Sequence, residues 1–236
     1  MLRALTFALL LLTPLTAAEK RIAVFVGLCD NATQGIVKVG AKIGDGDKPA
    51  DNLYWGCTDG LRSHFKASKR WKLEKTETAT GDDRILERVT FRHVSGDAIL
   101  VAEAWRGSKL KDCYEACEKA MLSGDNDLVT FIGHNVLMDV AIDAPAEKAK
   151  GKTDAIVLCC ISDRYFRQRL ENAGVRPVVL TTQLMYPGSF ILHDALEPWL
   201  QGKARGNLRD AAGLAYARNQ NLKPAAAKGV FARLDP

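Results

Sequence analysis

Four short and almost uninterrupted apolar runs, residues 21–28, 127–133, 155–160 and 177–181, constrain the fold of this chain more than any other feature. A strand with one wet face alternates apolar and polar residues, whereas a strand buried on both faces does not. Such runs therefore belong in the middle of a parallel sheet with helices on either side. Segments with helical periodicity follow them or fall between them, at 59–67, 109–122, 163–173, 189–200 and 207–221, with a short last one at 224–234. Ser162 is expected to cap the 163–173 helix and Gly174 to end it. Three further strands are expected at 71–78, 85–93 and 98–105. Ser95-Gly96-Asp97 joins the last two in a small β-hairpin, and one of the three is expected to enter the main sheet. The class expected is α/β, a doubly wound and mostly parallel sheet with helices on both faces.

The N-terminus reads as an export signal. Met1-Leu2-Arg3 carries a positive charge, residues 4–15 are apolar, and Thr16-Ala17-Ala18 supplies the small residues of a cleavage site. An apolar stretch of about 12 residues falls short of the roughly 20 that a membrane span needs. The organisation expected is a signal peptide at 1–18 and one α/β domain at 19–236, secreted or periplasmic, with no stable membrane insertion after cleavage. The 236 residues, 47% of them hydrophobic, are enough to build a core without metals or bridges. With 33 basic against 28 acidic residues and no long run of like charge, the chain carries no polyanion-binding tail. The basic stretch around Trp71 reads as a solvated connection, so nucleic acid is not an expected partner.

Ligands of doubly wound sheets bind beyond the carboxyl ends of the strands, which directs attention to the residues just past Leu28, Gly133, Leu158 and Leu180. Two of these strands deliver chemistry there: His134 ends the second run and Cys160 the third, 26 residues and one crossover later. A thiolate attacks a carbonyl carbon, and a nearby imidazole moves the proton to the leaving amine. Among the remaining cysteines, Cys29 and Cys57 flank a long segment without periodicity, and in an oxidising compartment they are candidates for one disulfide. Cys113 and Cys117 share a helix face but lack further ligands, so packing or separate disulfide partners is the expected role and no metal is expected. Phosphate-cradling glycine loops and a Gly-x-Ser-x-Gly elbow are both missing, and no cofactor is implied. His64, His93 and His193 carry no spacing that suggests a site.

The segments Leu128-Val129-Thr130-Phe131-Ile132-Gly133-His134 and Ala155-Ile156-Val157-Leu158-Cys159-Cys160-Ile161-Ser162 resemble the motifs of caspase-like cysteine peptidases, the group of caspases, separases, gingipains, legumains and CHAT peptidases. There, one apolar strand ends in His-Gly and a later one ends in a small residue and Cys. Gly133-His134-Asn135-Val136-Leu137-Met138-Asp139 also resembles an exported bacterial family of that fold. The resemblance covers roughly residues 21–182. It implies a caspase-like fold in which His134 is the general acid/base, Cys160 the nucleophile and the backbone N–H of Asn135 an oxyanion donor. Asn135 departs from the family glycine. The resemblance also implies that the loop after the first strand, with Asp30, Asn31 and Gln34, helps form the specificity pocket. Asp30 there would favour a basic side chain, and Thr182 is a second candidate wall. The partner expected is a peptide or protein substrate. Two functions stay open at this point: a cysteine-dependent peptide hydrolase, and a catalytically inactive protein that holds a peptide or partner in the same cleft.

Overall fold

A computed structural model describes residues 18–34 and 37–234; most of the expected signal peptide, residues 1–17, lies outside them. Seven strands form one sheet in the order β2-β3-β4-β1-β5-β6-β7. The strands are β1 (Lys20–Gly27), β2 (Trp71–Glu77), β3 (Ile85–His93), β4 (Ala98–Trp105), β5 (Leu128–Ile132), β6 (Asp154–Leu158) and β7 (Arg176–Val179). From β4 to β7 every neighbouring pair is parallel, and β3 runs antiparallel to both β2 and β4. The β3–β4 hairpin is therefore part of the main sheet, and β2 follows it in; all three strands join rather than one.

Helices cover both faces, as the continuous apolar runs require. The two crossover helices α2 (Leu110–Ser123) and α3 (Ser162–Asn172) cover one face, where Tyr114 and Phe166 pack with Phe131, Val157 and Cys159. The opposite face is covered by α1 (Leu61–Lys66), α4 (Phe190–Leu200), α5 (Arg205–Gln220) and the short α6 (Pro224–Lys228), over Val24, Ile132 and Leu158. Alternate residues of β6 thus enter different cores: Ile156 and Leu158 one, Ala155 and Val157 the other. The thiols of Cys113 and Cys117 are fully buried in the α2–α3 layer, where burial pushes both well above the ordinary thiol range. Among the described residues, no helix is long and apolar enough to cross a membrane.

The chain leaves β1 toward the β2–β4 side, and α2 then carries it across β1 to β5, so the connections diverge at β1. Among the described residues, the segment between β1 and α1 lies over this edge as a series of turns without strand or helix. Trp55, wholly buried, donates its indole N–H to Glu87 Oε2 (3.1 Å), which also takes Arg62 Nη1 (2.9 Å). Gly56 is obligatory here, because a Cβ would fall 1.9 Å from the Ala50 carbonyl oxygen.

The expected Cys29–Cys57 disulfide is not formed: both are free thiols. Asn52 does the work assigned to that bridge. Its Oδ1 accepts the N–H groups of Cys29 (3.1 Å) and Tyr54 (3.1 Å), and its Nδ2 donates to the carbonyls of Cys29 (2.8 Å) and Asp45 (3.0 Å). The side chain is buried, so its loss strands several backbone groups away from water. Asn52→Ala should destabilise the protein by about 2–4 kcal/mol. A thermal melt should fall by roughly 5–12 °C, while dithiothreitol leaves the wild-type midpoint in place. A midpoint that drops with reductant and ignores Asn52→Ala would restore the disulfide.

Candidate functional site

Strands β1, β5 and β6 end side by side, with Val26 opposite Ile132 and Ile132 opposite Leu158. Beyond these ends lies a cavity of about 460 Å³. Cys29, Asp30, His134 and Cys160 line it from the strand ends, Tyr54 from the long segment, and Met185 and Tyr186 from the chain after β7. Two strand-end residues that a crossover separates in sequence thus face one cavity.

Cys160 sits on a sharp turn between β6 and α3. The next residue, Ile161, adopts φ 52° and ψ 37°, the left-handed region. A β-branched side chain is rarely found there, and the conformation costs of order 1–3 kcal/mol. Buried hydroxyls hold it in place. Ser162 Oγ donates to the Val157 carbonyl (2.8 Å), accepts the Thr181 N–H (2.8 Å) and lies 3.0 Å from Thr181 Oγ1. Thr181 Oγ1 in turn accepts Ser162 N–H (3.1 Å) and donates to the Cys159 carbonyl. Ile161 N–H closes the turn on the Gln183 carbonyl (3.0 Å). Ser162 is accordingly the first residue of α3 and a core bond-former, not its side-chain cap. The turn leaves Cys160 partly exposed beside the N-terminus of α3, where the helix dipole favours negative charge. Its Sγ accepts Met185 N–H (3.4 Å) and donates to the Met185 carbonyl (3.6 Å).

His134 reaches the cavity because Gly133 lies flat against β1; a Cβ there would stand 3.0 Å from the Gly27 carbonyl oxygen. Its Nε2 meets Asp139 Oδ2 at 2.7 Å, with the histidine side chain 12% and the aspartate 48% exposed. No direct hydrogen bond joins His134 to Cys160, although both line the cavity. Asn135, next in the chain, links the two strand ends. Its Oδ1 accepts Leu137 N–H (3.1 Å) and its Nδ2 donates to the Cys160 carbonyl (2.7 Å). Glycine at this position would have no side chain to make this clamp. The Asn135 backbone N–H meets no acceptor among the described residues.

The other expected wall residues divide. Asp30, Asn31 and Gln34 line the cavity, and each is also held in the loop. Asn31 clasps Val39 through both backbone groups, and Gln34 Nε2 donates to the carbonyls of Leu28 (2.9 Å) and Gly107 (2.7 Å). Thr182 is not among the lining residues. It is exposed and donates to the Gly229 carbonyl (2.9 Å), because the C-terminal segment pairs along the extension of β7. Leu184, Met185 and Tyr186 form that wall instead. Asp139 carried no sequence signal beyond its place five residues after the histidine.

Away from the cavity, two of the three histidines expected to be isolated, His64 and His193, come together. His193 contacts Ser68 (2.8 Å) and Asp194 (2.9 Å), and its ring packs edge-on with His64 at 5.0 Å. Burial, then the neighbouring His193, lowers the His64 pKa. Burial opposes the charge on Asp194, but hydrogen bonds from His193 and Arg70 prevail and hold its carboxyl at about 2. Arg70 lies against both ring nitrogens of His193, so this cluster is a structural clamp between the start of β2 and α4. Trp71, in the basic stretch, is buried against Phe65.

Thiol chemistry differs sharply among the cysteines. Burial pushes Cys159 well up with Cys113 and Cys117, and also raises Cys29 and Cys57. Iodoacetamide added to the native protein near pH 7.5 should modify Cys160 first, about tenfold or more ahead of Cys29 and Cys57. Peptide mass mapping reads the order, and labelling led by any other cysteine contradicts it. No family model, curated protein or solved structure matches this chain, so its chemistry is argued from the site itself.

Proposed function

We propose that the protein is an exported, caspase-like cysteine endopeptidase whose centre is Cys160, His134 and Asp139. The signal-like residues 1–18 support export. The observation that carries the reading is the placement of Cys160 on a strained, over-determined turn that opens into the same cavity as His134. Strain of this kind concentrates where a side chain must be held for reaction.

In the reaction, His134 takes the Cys160 proton, and the thiolate attacks the substrate carbonyl carbon. A C–S bond forms and the carbonyl oxygen becomes an oxyanion, for which the Asn135 N–H is the donor. The imidazolium returns the proton to the amide nitrogen, the C–N bond breaks and an amine leaves. Water, deprotonated by His134, then attacks the thioester. The C–S bond breaks, the acid departs and the proton goes back to sulfur. Asp139 is a positioning residue: by engaging Nε2–H it leaves Nδ1 for proton transfer.

A second reading, a non-catalytic peptide-holding protein, draws on the bonds between Cys160 Sγ and Met185 and on the missing His134–Cys160 bond. Peptide libraries incubated with wild type and Cys160→Ala decide between them. Endopeptidase activity should fall about a thousandfold or more in Cys160→Ala and in His134→Ala. Asp139→Asn should lower kcat by about 10–100-fold with KM nearly unchanged, shift the pH profile, and be partly rescued by Asp139→Glu. Cleavage that persists in Cys160→Ala overturns the assignment. Peptide binding with no turnover in the wild type favours the second reading.

A further inference from the structure

We infer that peroxide converts Cys160 to a sulfenyl-amide cross-link with the backbone nitrogen of Met185, a reversible modification that closes the cavity over its own thiol. This rests on the reading of Cys160 as the reactive thiol of the cavity and deepens it, but does not depend on hydrolysis. Cys160 Sγ lies 3.4 Å from Met185 N and 3.6 Å from the Met185 carbonyl oxygen, and neither backbone group has another hydrogen-bond partner among the described residues. The wall that carries Met185 is lightly tied. The Gln183 carbonyl accepts Ile161 N–H (3.0 Å) before it and the Gly188 carbonyl accepts Ile191 N–H (3.1 Å) after it. Between them the one further backbone bond among the described residues runs from Tyr186 N–H to Tyr216 Oη (3.3 Å), and the Leu184 side chain, 63% exposed, adds little packing.

A second thiol, Cys29, lines the same cavity and is the rival partner for an oxidised Cys160. Geometry disfavours it. Strand β5 stands between the strands that deliver the two residues, which sets those strands about 9–10 Å apart, whereas the Cα atoms of a disulfide lie within about 7 Å. Asn52 holds both the N–H and the carbonyl of Cys29, so the residue is not free to swing across. Burial also raises the Cys29 thiol, which lowers the thiolate available for attack. The Met185 amide, by contrast, is already in contact. In the first step the Cys160 sulfur attacks hydrogen peroxide. An S–O bond forms, the O–O bond breaks, and hydroxide leaves with the thiol proton as water, so the sulfur is oxidised and the peroxide reduced. In the second step the Met185 nitrogen attacks that sulfur. An S–N bond forms, the S–O bond breaks, and hydroxide leaves with the amide proton as water, with no further oxidant consumed. Dithiothreitol reverses the link: one of its thiols attacks the sulfur, the S–N bond breaks and the nitrogen regains a proton. Its second thiol then frees Cys160 and leaves a cyclic disulfide. The cross-link keeps the sulfur from irreversible sulfinic acid.

The test treats the full chain with a small excess of hydrogen peroxide at about pH 7.5, blocks the remaining thiols and maps the peptides by mass spectrometry. The expected product joins the Cys160 and Met185 peptides at a mass about 2 Da below their sum, and dithiothreitol returns the thiol. Cys29→Ser should give the same link. Met185→Pro, which lacks the N–H, should stop at a sulfenic acid that dimedone traps, and with continued peroxide most of its Cys160 should pass to sulfinic acid that dithiothreitol does not recover. The wild-type map and Cys29→Ser decide the matter even where Met185→Pro fails to fold. A Cys29–Cys160 disulfide, a wild-type sulfenic acid that persists for dimedone, direct passage to sulfinic acid, or a Cys160 that peroxide leaves unmodified overturns the inference. The link in a protein with no peptidase activity leaves this inference standing and removes the hydrolase reading, and an active peptidase without the link does the reverse.

Discussion

The buried hydroxyl pair Ser162 and Thr181 is the interaction on which the arrangement at the sheet edge depends. It joins the start of α3 to the end of β7 and, through the Cys159 and Val157 carbonyls, to the end of β6. Together with the Ile161 N–H bond to the Gln183 carbonyl, this network holds Ile161 in a left-handed conformation that a β-branched residue avoids. With it, the chain turns sharply enough to lift Cys160 out of the core, while Cys159, one residue earlier, stays fully buried. Two adjacent cysteines thus have opposite environments, one a packed apolar group and the other a partly open thiol.

Asn135 extends the same construction to the neighbouring strand. Its amide spans from the His134 turn to the Cys160 carbonyl and so ties the two strand ends together. The long segment after β1 completes the cavity, and its position depends in turn on Asn52 and on Trp55 bound to Glu87. Each tie is a buried polar group with its partners satisfied, the arrangement that gives a polar network its rigidity. The cavity is therefore framed by rigid elements on three sides, and the Leu184–Tyr186 wall is the side that touches the thiol directly.

Much of this was legible in the residues. Continuous apolar runs such as 128–132 can only be buried on both faces, and that alone implies a parallel sheet with two helical layers and sites at its carboxyl edge. His134 and Cys160 followed from ending such runs. What was not legible depends on contacts between distant segments. Strands β3 and β4 read as a hairpin, with one of β2, β3 and β4 expected in the main sheet, because sequence says nothing of which edge such a unit joins; all three are in it. Cys29 and Cys57 invite a bridge by flanking a loop, yet the clasp is Asn52, whose four bonds have no sequence signature. Thr182 was placed by its strand, but the returning C-terminal segment claims its hydroxyl. Asp139 and the His193 clamp likewise emerge only once loops and helices are placed.

The central claim is that Cys160 and His134 serve one reaction at one carbonyl. A crystal structure of the protein treated with a peptide aldehyde tests it most directly. The expected result is a hemithioacetal on Cys160 Sγ with the His134 ring within about 3.2 Å of the reacting atoms. An adduct on another cysteine, or a Cys160 adduct with His134 turned away from it, would contradict the account.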